Sequence, residues 1–185
     1  LEYASETPSP RGLLELCKAA RLSGDPETSL VLLERLCQQA ESASANPAIH
    51  LELGHTYFDL RRLRDARRAF ATAVDAAYRH NIWPVHAEAL LHLGIVCLLL
   101  GEFKDAMESL MQSVRATPRS AGGERALFAN YCLAICLSCV GMHKRAADLY
   151  AEVCDETVQV TYESTPLRAL AYLGLAVAHS NRHKY

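Results

Sequence analysis

The hydrophobic residues of this chain recur with a period of 40 residues. A leucine followed by a small residue marks each copy, at Leu53–Gly54, Leu93–Gly94, Leu133–Ala134 and Leu173–Gly174. An alanine and then a large apolar residue follow in the first three copies, at Ala66 and Phe70, Ala106 and Leu110, and Ala146 and Tyr150. A slightly compressed earlier copy begins at Leu16–Cys17. A fixed period of this length predicts a repeat architecture rather than a single globular core.

Each copy predicts two helices joined by a tight turn. The apolar positions follow helical spacing, and no stretch alternates with the period of two that a strand requires. The predicted first helices cover 47–60, 84–100, 123–140 and 166–180, and the second helices cover 63–80, 103–116 and 143–158. Gly101 and Gly141 stand where a first helix must end, because glycine supplies the backbone freedom of a helix C-terminus. The predicted fold class is therefore all-α.

Capping residues and buried glycines refine this prediction. A capping residue precedes proline at three predicted helix starts, namely Asp25–Pro26, Asn46–Pro47 and Thr165–Pro166. Gly54, Gly94 and Gly174 lie inside predicted helices, where each costs about 1 kcal/mol relative to alanine. We expect a large side chain on a neighbouring helix to pack closely there and offset that cost. Because one hairpin cannot bury its apolar faces alone, stacked copies predict a right-handed superhelical solenoid.

The second copy carries a motif that resembles the tetratricopeptide repeat (TPR). It reads His50-x-x-Leu53-Gly54-x-x-Tyr57 and then Ala66-x-x-x-Phe70, against the family pattern W-x-x-L-G-x-x-Y…A-x-x-x-F. The opening tryptophan is missing from every copy and the period exceeds the usual ~34 residues. Both features are similar to the long-repeat branch of the superfamily, which includes rapsyn and the LGN/Pins adaptors. The resemblance implies an N-terminal leader over 1–9 and a solenoid over 10–185, with repeats of about 10–45, 46–82, 83–119, 120–164 and a partial one over 165–185.

The resemblance also implies a concave face, lined by the first helices, that receives a segment of a partner protein. The residues that it assigns to this groove are Leu51, His55, Phe58, Glu88, Leu91, His92, Ile95, Leu98, Tyr131, Ile135 and Tyr172, with Phe128 on the same face. They form an apolar trough with acidic and histidine edges, which favours an apolar or amphipathic segment anchored at Phe58, Ile95 and Tyr131. The alternative is that neighbouring helices, a further segment or a second copy of the chain cover these residues.

A co-chaperone function is disfavoured by the same positions. Family members that bind chaperone tails grip the terminal carboxylates with lysine, asparagine and arginine. The corresponding positions here hold Lys18, His55, His92, Cys132 and Arg168. No asparagine remains, so an Hsp70/Hsp90 co-chaperone is the less favoured interpretation. The asparagine- and arginine-rich groove of the spindle adaptors is not reproduced either.

A cluster of arginines forms a possible basic patch at one turn between helices. It comprises Arg61, Arg62, Arg64 and Arg68, with Arg67 beside them. One interpretation is a docking site for an acidic segment, a phosphopeptide or an anionic lipid, since arginine favours bidentate contacts. The other is a solvated helix face with Asp59 and Asp65 as counter-ions, which we favour because exposed charge clusters commonly have no partner.

No motif of catalysis or cofactor binding occurs, so the chain is not predicted to be an enzyme and no cofactor is expected. Cys132, Cys136, Cys139 and His143 lie along one helical stripe. They span about 16 Å, which is too far for one metal ion. We therefore predict small core residues here and no metal site.

The amino-acid composition excludes several classes of protein and of partner. A chain of 185 residues with 50% hydrophobic and 22% charged residues and a net charge of -2 is neither disordered nor a general nucleic-acid binder. No apolar run approaches the roughly 18 residues of a membrane span. No secretory signal is visible, and the odd cysteine number, 7, does not form a disulfide framework. We expect a piece of a longer cytosolic or nuclear protein, acting as an interaction or scaffold module, with homo-oligomerisation as the alternative.

Overall fold

The computed structural model describes residues 9–39, 46–117, 123–157 and 165–182. Helices occupy these residues, and no strand occurs among them. They are α1 (Pro10–Leu22), α2 (Pro26–Gln39), α3 (Pro47–Asp59), α4 (Leu63–Arg79), α5 (Trp83–Leu99), α6 (Phe103–Ala116), α7 (Glu124–Cys139), α8 (His143–Thr157) and α9 (Thr165–Arg182). The all-α class predicted from the hydrophobic period is confirmed. Across the part of the chain that is described, no helix combines the length and apolarity needed to cross a bilayer.

The chain divides into two compact units, Leu1–Val85 and His86–Tyr185. In the first unit α1 packs on α2, and α3 packs on α4 and on both preceding helices. In the second unit α7 packs on α6 and α8, and α9 packs mainly on α8. Within each unit, these helices therefore bury apolar faces against neighbours in the chain, as a repeat structure requires.

Side-chain caps begin α2 and α3 where the sequence predicts them, and α1 has a cap that was not predicted. Asp25 Oδ1 accepts a hydrogen bond from the Thr28 backbone N at 3.0 Å. Asn46 Oδ1 accepts one from the Ala48 backbone N, also at 3.0 Å. Ser9 caps α1 in the same way. Each cap satisfies a backbone donor that has no partner within the helix, which explains why the helices start at these points.

The first helices α1, α3, α5 and α7 each end near a residue in the left-handed conformation, which is Gly24 in the case of α1. Arg61, Gly101 and Gly141 have φ of 59, 78 and 80° and lie 40 residues apart. The predicted helix ends at the two glycines are confirmed. Glycine adopts this conformation without strain, whereas a residue with a Cβ is penalised by about 1 kcal/mol. Arg61 is therefore strained at a position where the later repeats use glycine.

The small residues of the repeat mark close helix contacts. The facing pairs are Gly54 with Phe70, Gly94 with Leu110, and Gly174 with Tyr150. A Cβ on Gly94 would lie 2.6 Å from Leu110 Cγ, which is too close for two carbon atoms. The predicted close packing is therefore confirmed. The partner of Gly174 lies on α8, the helix before α9, because α9 packs most closely on α8.

The cysteine stripe of α7 is only partly a core feature. Cys132 and Cys136 are buried as predicted. Burial raises the pKa of the Cys132 thiol to about 12 and that of Cys136 to about 11, so both stay protonated. The prediction was wrong for Cys139, which is exposed because it is the last residue of α7. The stripe therefore leaves the core at its C-terminal end.

Candidate partner-binding surface

The groove residues that the sequence predicts in the first unit lie on one face of α3. Leu51, His55 and Phe58 are each half-buried, and their spacing places them on consecutive turns. The His55 ring lies edge-on to Phe70 of α4, with ring centroids 5.3 Å apart. These contacts leave part of each side chain accessible.

A buried ion pair connects this face of α3 to α1. Glu52 is only 3% exposed, and its Oε1 accepts a hydrogen bond from Arg21 Nε at 2.6 Å. Arg21 Nη1 also donates to Asp59 Oδ2 at 3.3 Å. Burial alone would lower the pKa of Arg21, but the hydrogen bonds and charges of the two carboxylates raise it overall. The guanidinium is therefore held charged between two helices, a contact that the sequence analysis missed.

The predicted groove residues of the second unit differ in exposure. Those that are half-buried are Glu88, His92, Ile95, Leu98, Tyr131 and Ile135. Tyr172 is 54% exposed. Leu91 is only 6% exposed, because it packs in a core cluster with Ala129 and Cys132 of α7.

A cavity of about 520 Å³ lies among three first helices of the second unit. Leu91 of α5 contributes one side of it, and the other lining residues come from the first turns of α7 and α9. They are Glu124, Arg125, Phe128, Pro166, Leu167 and Leu170. Phe128 is 37% exposed and Leu170 is 45% exposed. The cavity is therefore mostly apolar, and its volume falls in the range of small-ligand and peptide-anchor pockets.

An ion pair lies beside this cavity. Arg125 Nη2 donates to Glu88 Oε2 at 3.3 Å, with 34% and 35% of the two side chains exposed. Exposed pairs of this kind stabilise by at most about 1 kcal/mol. The pair can therefore exchange one partner for a charged group of a ligand at small cost.

Aromatic rings connect the cavity wall to the core. The rings of Phe128 and Tyr131 stack with their centroids 6.3 Å apart. The centroids of the Tyr131 and Tyr150 rings are 5.9 Å apart. Burial raises the pKa of the Tyr131 hydroxyl, so the group stays protonated. Phe128 is thus held in place by a ring that is itself packed on the core.

Of the residues that line this cavity, Leu91 and Phe128 were predicted on the partner-binding face and the others were not. Arg125 lies in the first turn of α7, ahead of the positions that the TPR pattern marks. Leu170 of α9 stands at the position of the pattern's tryptophan, as His50 does in the second copy. Arg125 stands three residues before Phe128, so the helical period alone would have placed both on one face. The repeat also marks the position of Leu170, but it does not predict that this side chain is exposed, which depends on how α9 packs on α8.

The arginine cluster between α3 and α4 is partly neutralised by one carboxylate. Asp65 accepts hydrogen bonds from Arg62 Nε at 2.7 Å and from Arg68 Nη2. The Arg68 and then the Arg62 hydrogen bonds hold the pKa of Asp65 below its usual value. The Arg62 guanidinium also lies 4.8 Å from the centre of the Tyr57 ring. These contacts fit a solvated helix face with Asp65 as its counter-ion.

The other members of this cluster are placed differently. Arg61 and Arg64 are exposed. Asp59, the second predicted counter-ion, pairs with Arg21 of α1 instead. That part of the prediction was wrong, because Asp59 lies on the face of α3 that is turned toward α1. Asp59 therefore does not neutralise this cluster, and its described counter-ion is Asp65.

Residues 51–121 match the sequence profile of the Tetratricopeptide repeat family. The sequence match and the fold both support a relation of this chain to the TPR superfamily. The matched region runs from α3 to the chain after α6. No curated protein sequence matches the chain at a significant level. The finer resemblance to the long-repeat branch of rapsyn and the LGN/Pins adaptors stays a prediction.

Solved structures, including two of proteins described as having TPR or TPR-like repeats, share the fold over nearly the whole chain. A kinesin light chain-like protein of Podosopora anserina with nearly identical TPR-like repeats has a TM-score of 0.75 at 19% identity, covering 96% of this chain and 90% of that chain. YrrB, a TPR protein with an unusual peptide-binding site, has a TM-score of 0.69 at 18% identity, covering 95% and 78%. BtubC (BKLC) from P. vanneervenii has a TM-score of 0.78 at 13% identity, covering 94% and 72%. These similarities confirm the predicted fold, an all-α solenoid of TPR-like hairpins.

Proposed function

We propose that this chain is a protein–protein interaction module whose second unit binds a short apolar or amphipathic segment of a partner. The observation that carries this proposal is the cavity of about 520 Å³ between α5, α7 and α9, with Phe128 and Leu170 exposed in its lining. TPR repeats and a fold shared with YrrB, a protein with a peptide-binding site, support the same class of ligand.

The physical basis of binding is burial of an apolar anchor. A leucine or phenylalanine side chain of the partner gains about 1.5–3 kcal/mol when it leaves water. Because the lining residues lie on helices that are already packed, little conformational entropy is lost in the receptor. The Glu88–Arg125 pair beside the cavity then orients the segment by exchanging one charge for a charge of the ligand.

Cross-linking would test where such a segment binds. A random-peptide library displayed on phage is selected on the whole chain, and an enriched peptide is resynthesised with benzoylphenylalanine in place of its apolar anchor. Irradiation is expected to attach the peptide to tryptic fragments from the first turns of α7 and α9. Attachment to the α3–α4 turn, which carries the exposed Arg61 and Arg64, would contradict this site and support the basic patch instead.

A second candidate function is self-association through α9. Tyr172, Leu173 and Val177 are 54%, 63% and 50% exposed, which is unusual for a set of large apolar residues on one helix. Under this proposal two copies bury these side chains against each other. Sedimentation velocity over a wide concentration range would show a dimer that Leu173→Lys dissociates. A monomer at all concentrations would exclude this candidate.

We also propose that the chain acts in the cytosol or nucleus. All 7 cysteines are free, and a reduced state is typical of those compartments.

A further inference from the structure

All three methionines of the chain line a second groove, which shares no lining residue with the cavity described above. Its volume is about 400 Å³. Met107 and Met111 come from α6, Met142 precedes α8, and Leu133 and Leu137 of α7 lie between them. Met111 and Met142 are 42% and 45% exposed. This placement is unusual, because methionine more often fills gaps in the core than lines a groove open to solvent.

The spacing of the apolar residues has a helical repeat. Met107 and Met111 are four residues apart on one wall, and Leu133 and Leu137 are four apart on α7. The two members of each pair are therefore separated by one helical turn, a rise of about 6 Å along the helix axis. An amphipathic helix presents its apolar residues at the same interval, so it can place one side chain against each turn of the groove.

The groove continues along α8 and changes charge as it does so. The adjoining cavity, of about 330 Å³, again includes Leu133, Leu137 and Arg145. Lys104 lines only the first part, whereas Asp148 and Glu152 line only the second. Glu108 stands one turn after Lys104 on the same α6 wall, where it accepts a hydrogen bond from Gln112. The groove is therefore basic at the first turns of α6 and α8, near Lys104 and Arg145, and acidic further along α8, near Asp148 and Glu152.

We propose that this groove docks an amphipathic helix of a partner protein that carries an acidic residue at one end and a basic residue at the other. The apolar stripe contacts the three methionines and Leu133, and Lys104 and Arg145 receive the acidic end. Asp148 and Glu152 receive the basic end. Methionine side chains have three rotatable bonds and a polarisable sulfur, so they adjust to the shape of the bound residues. About two helical turns of the partner match the distance from Arg145 to Glu152.

The experiment uses the whole chain and a phage-displayed library of random peptides. Peptides are selected on the wild type and counter-selected on Met111→Glu, a change at an exposed side chain that is not expected to unfold the protein. Leu99→Glu is the matched control, because Leu99 is 53% exposed on α5 and lines neither cavity. Circular dichroism confirms that each variant is folded, and Met142→Glu replaces Met111→Glu if that variant is not.

We expect enriched peptides with apolar residues three and four apart and opposite charges at the two ends. Titrated into chain labelled with ¹³C at the methionine methyls, such a peptide is expected to shift all three methyl signals. Lys104→Glu is expected to raise its Kd about tenfold, whereas Lys144→Glu, an exposed α8 lysine outside the lining, leaves the Kd unchanged.

Several results would overturn this inference. One is that every selected peptide still binds Met111→Glu, and another is that the peptide leaves the methionine methyl signals unshifted. The inference also fails if Lys104→Glu and Lys144→Glu change the Kd equally, or if the enriched peptides lack apolar residues at helical spacing. Peptides that shift no methionine signal but lose affinity on Leu170→Glu would support the proposed α7–α9 cavity and exclude this groove, so the two sites fail separately.

Discussion

Gly54 faces Phe70 so closely that a Cβ at this position would overlap the aromatic ring. Phe70 is fully buried, so its ring has little room to move. Replacing Gly54 by alanine gains about 1 kcal/mol of helix propensity, but overpacking a full core costs about 1–3 kcal/mol. We therefore expect Gly54→Ala to lower the free energy of unfolding, measured by urea denaturation.

The matched control for this change is Gly123→Ala. Gly123 has nothing within 4 Å of a Cβ, and its φ of -58° suits any residue. We expect that variant to be as stable as the wild type or slightly more stable. A Gly54→Ala variant that matched the control would show that the α3–α4 contact is looser than the structure indicates.

The pairing of Arg21 with Glu52 predicts a second stability effect. Arg21→Met leaves a carboxylate that is only 3% exposed without its closest cation. Because a buried charge without its partner is costly, we expect a loss of about 2–4 kcal/mol in the free energy of unfolding. The double variant Arg21→Met with Glu52→Met should recover most of this loss. A single variant as stable as the wild type would mean that Glu52 is reached by water.

The left-handed residues at the helix ends predict two changes of opposite sign. Gly101→Ala introduces a Cβ at φ 78° and is expected to destabilise by about 1 kcal/mol, although no atom clashes with it. Arg61→Gly removes the same strain at φ 59°. We expect this variant to be slightly more stable, because the relief of backbone strain exceeds the free-energy cost of the entropy that glycine adds to the unfolded chain. Thermal denaturation of both variants is the measurement, and the same sign for both would contradict the account.

Alkylation is expected to distinguish the cysteines of α7. Cys139 is exposed, whereas Cys132 and Cys136 are buried with the pKa raised to about 12 and about 11. Since the thiolate is the reactive form, the two buried thiols should resist a maleimide until the protein unfolds. Brief labelling followed by peptide mass spectrometry should find Cys139 modified first. Early modification of Cys132 would show that α7 opens readily.

The period of the chain predicts its helices well because each repeat position has a local cause. Gly101 ends a helix by its own backbone freedom, and Asn46 begins one by capping the next turn. The pattern also identifies which face of a helix a residue occupies. It does not identify how deeply that face is covered, as at Leu91, which lines the cavity although only 6% of it is exposed.

The candidate sites were harder to predict because they depend on packing between helices. Arg21 and Glu52 are 31 residues apart, and nothing in their local sequences pairs them. Leu170 lines a cavity only because α9 packs on α8. Met107 and Met111 of α6 and Met142, which precedes α8, line one groove because α7 packs on both of those helices. The sequence therefore predicts the fold and the general face, and the tertiary contacts determine the pockets.

The most direct test of the proposed function is the affinity of a library-selected peptide for Leu170→Glu and for a matched control. Leu170 lines the α7–α9 cavity and is 45% exposed. The control is Val31→Glu, which makes a comparable change at a residue of α2 that is 62% exposed. Fluorescence anisotropy should show the Kd of Leu170→Glu raised at least about tenfold, a loss of about 1.4 kcal/mol, with Val31→Glu unchanged. Equal affinity of both variants and the wild type would contradict the proposed site.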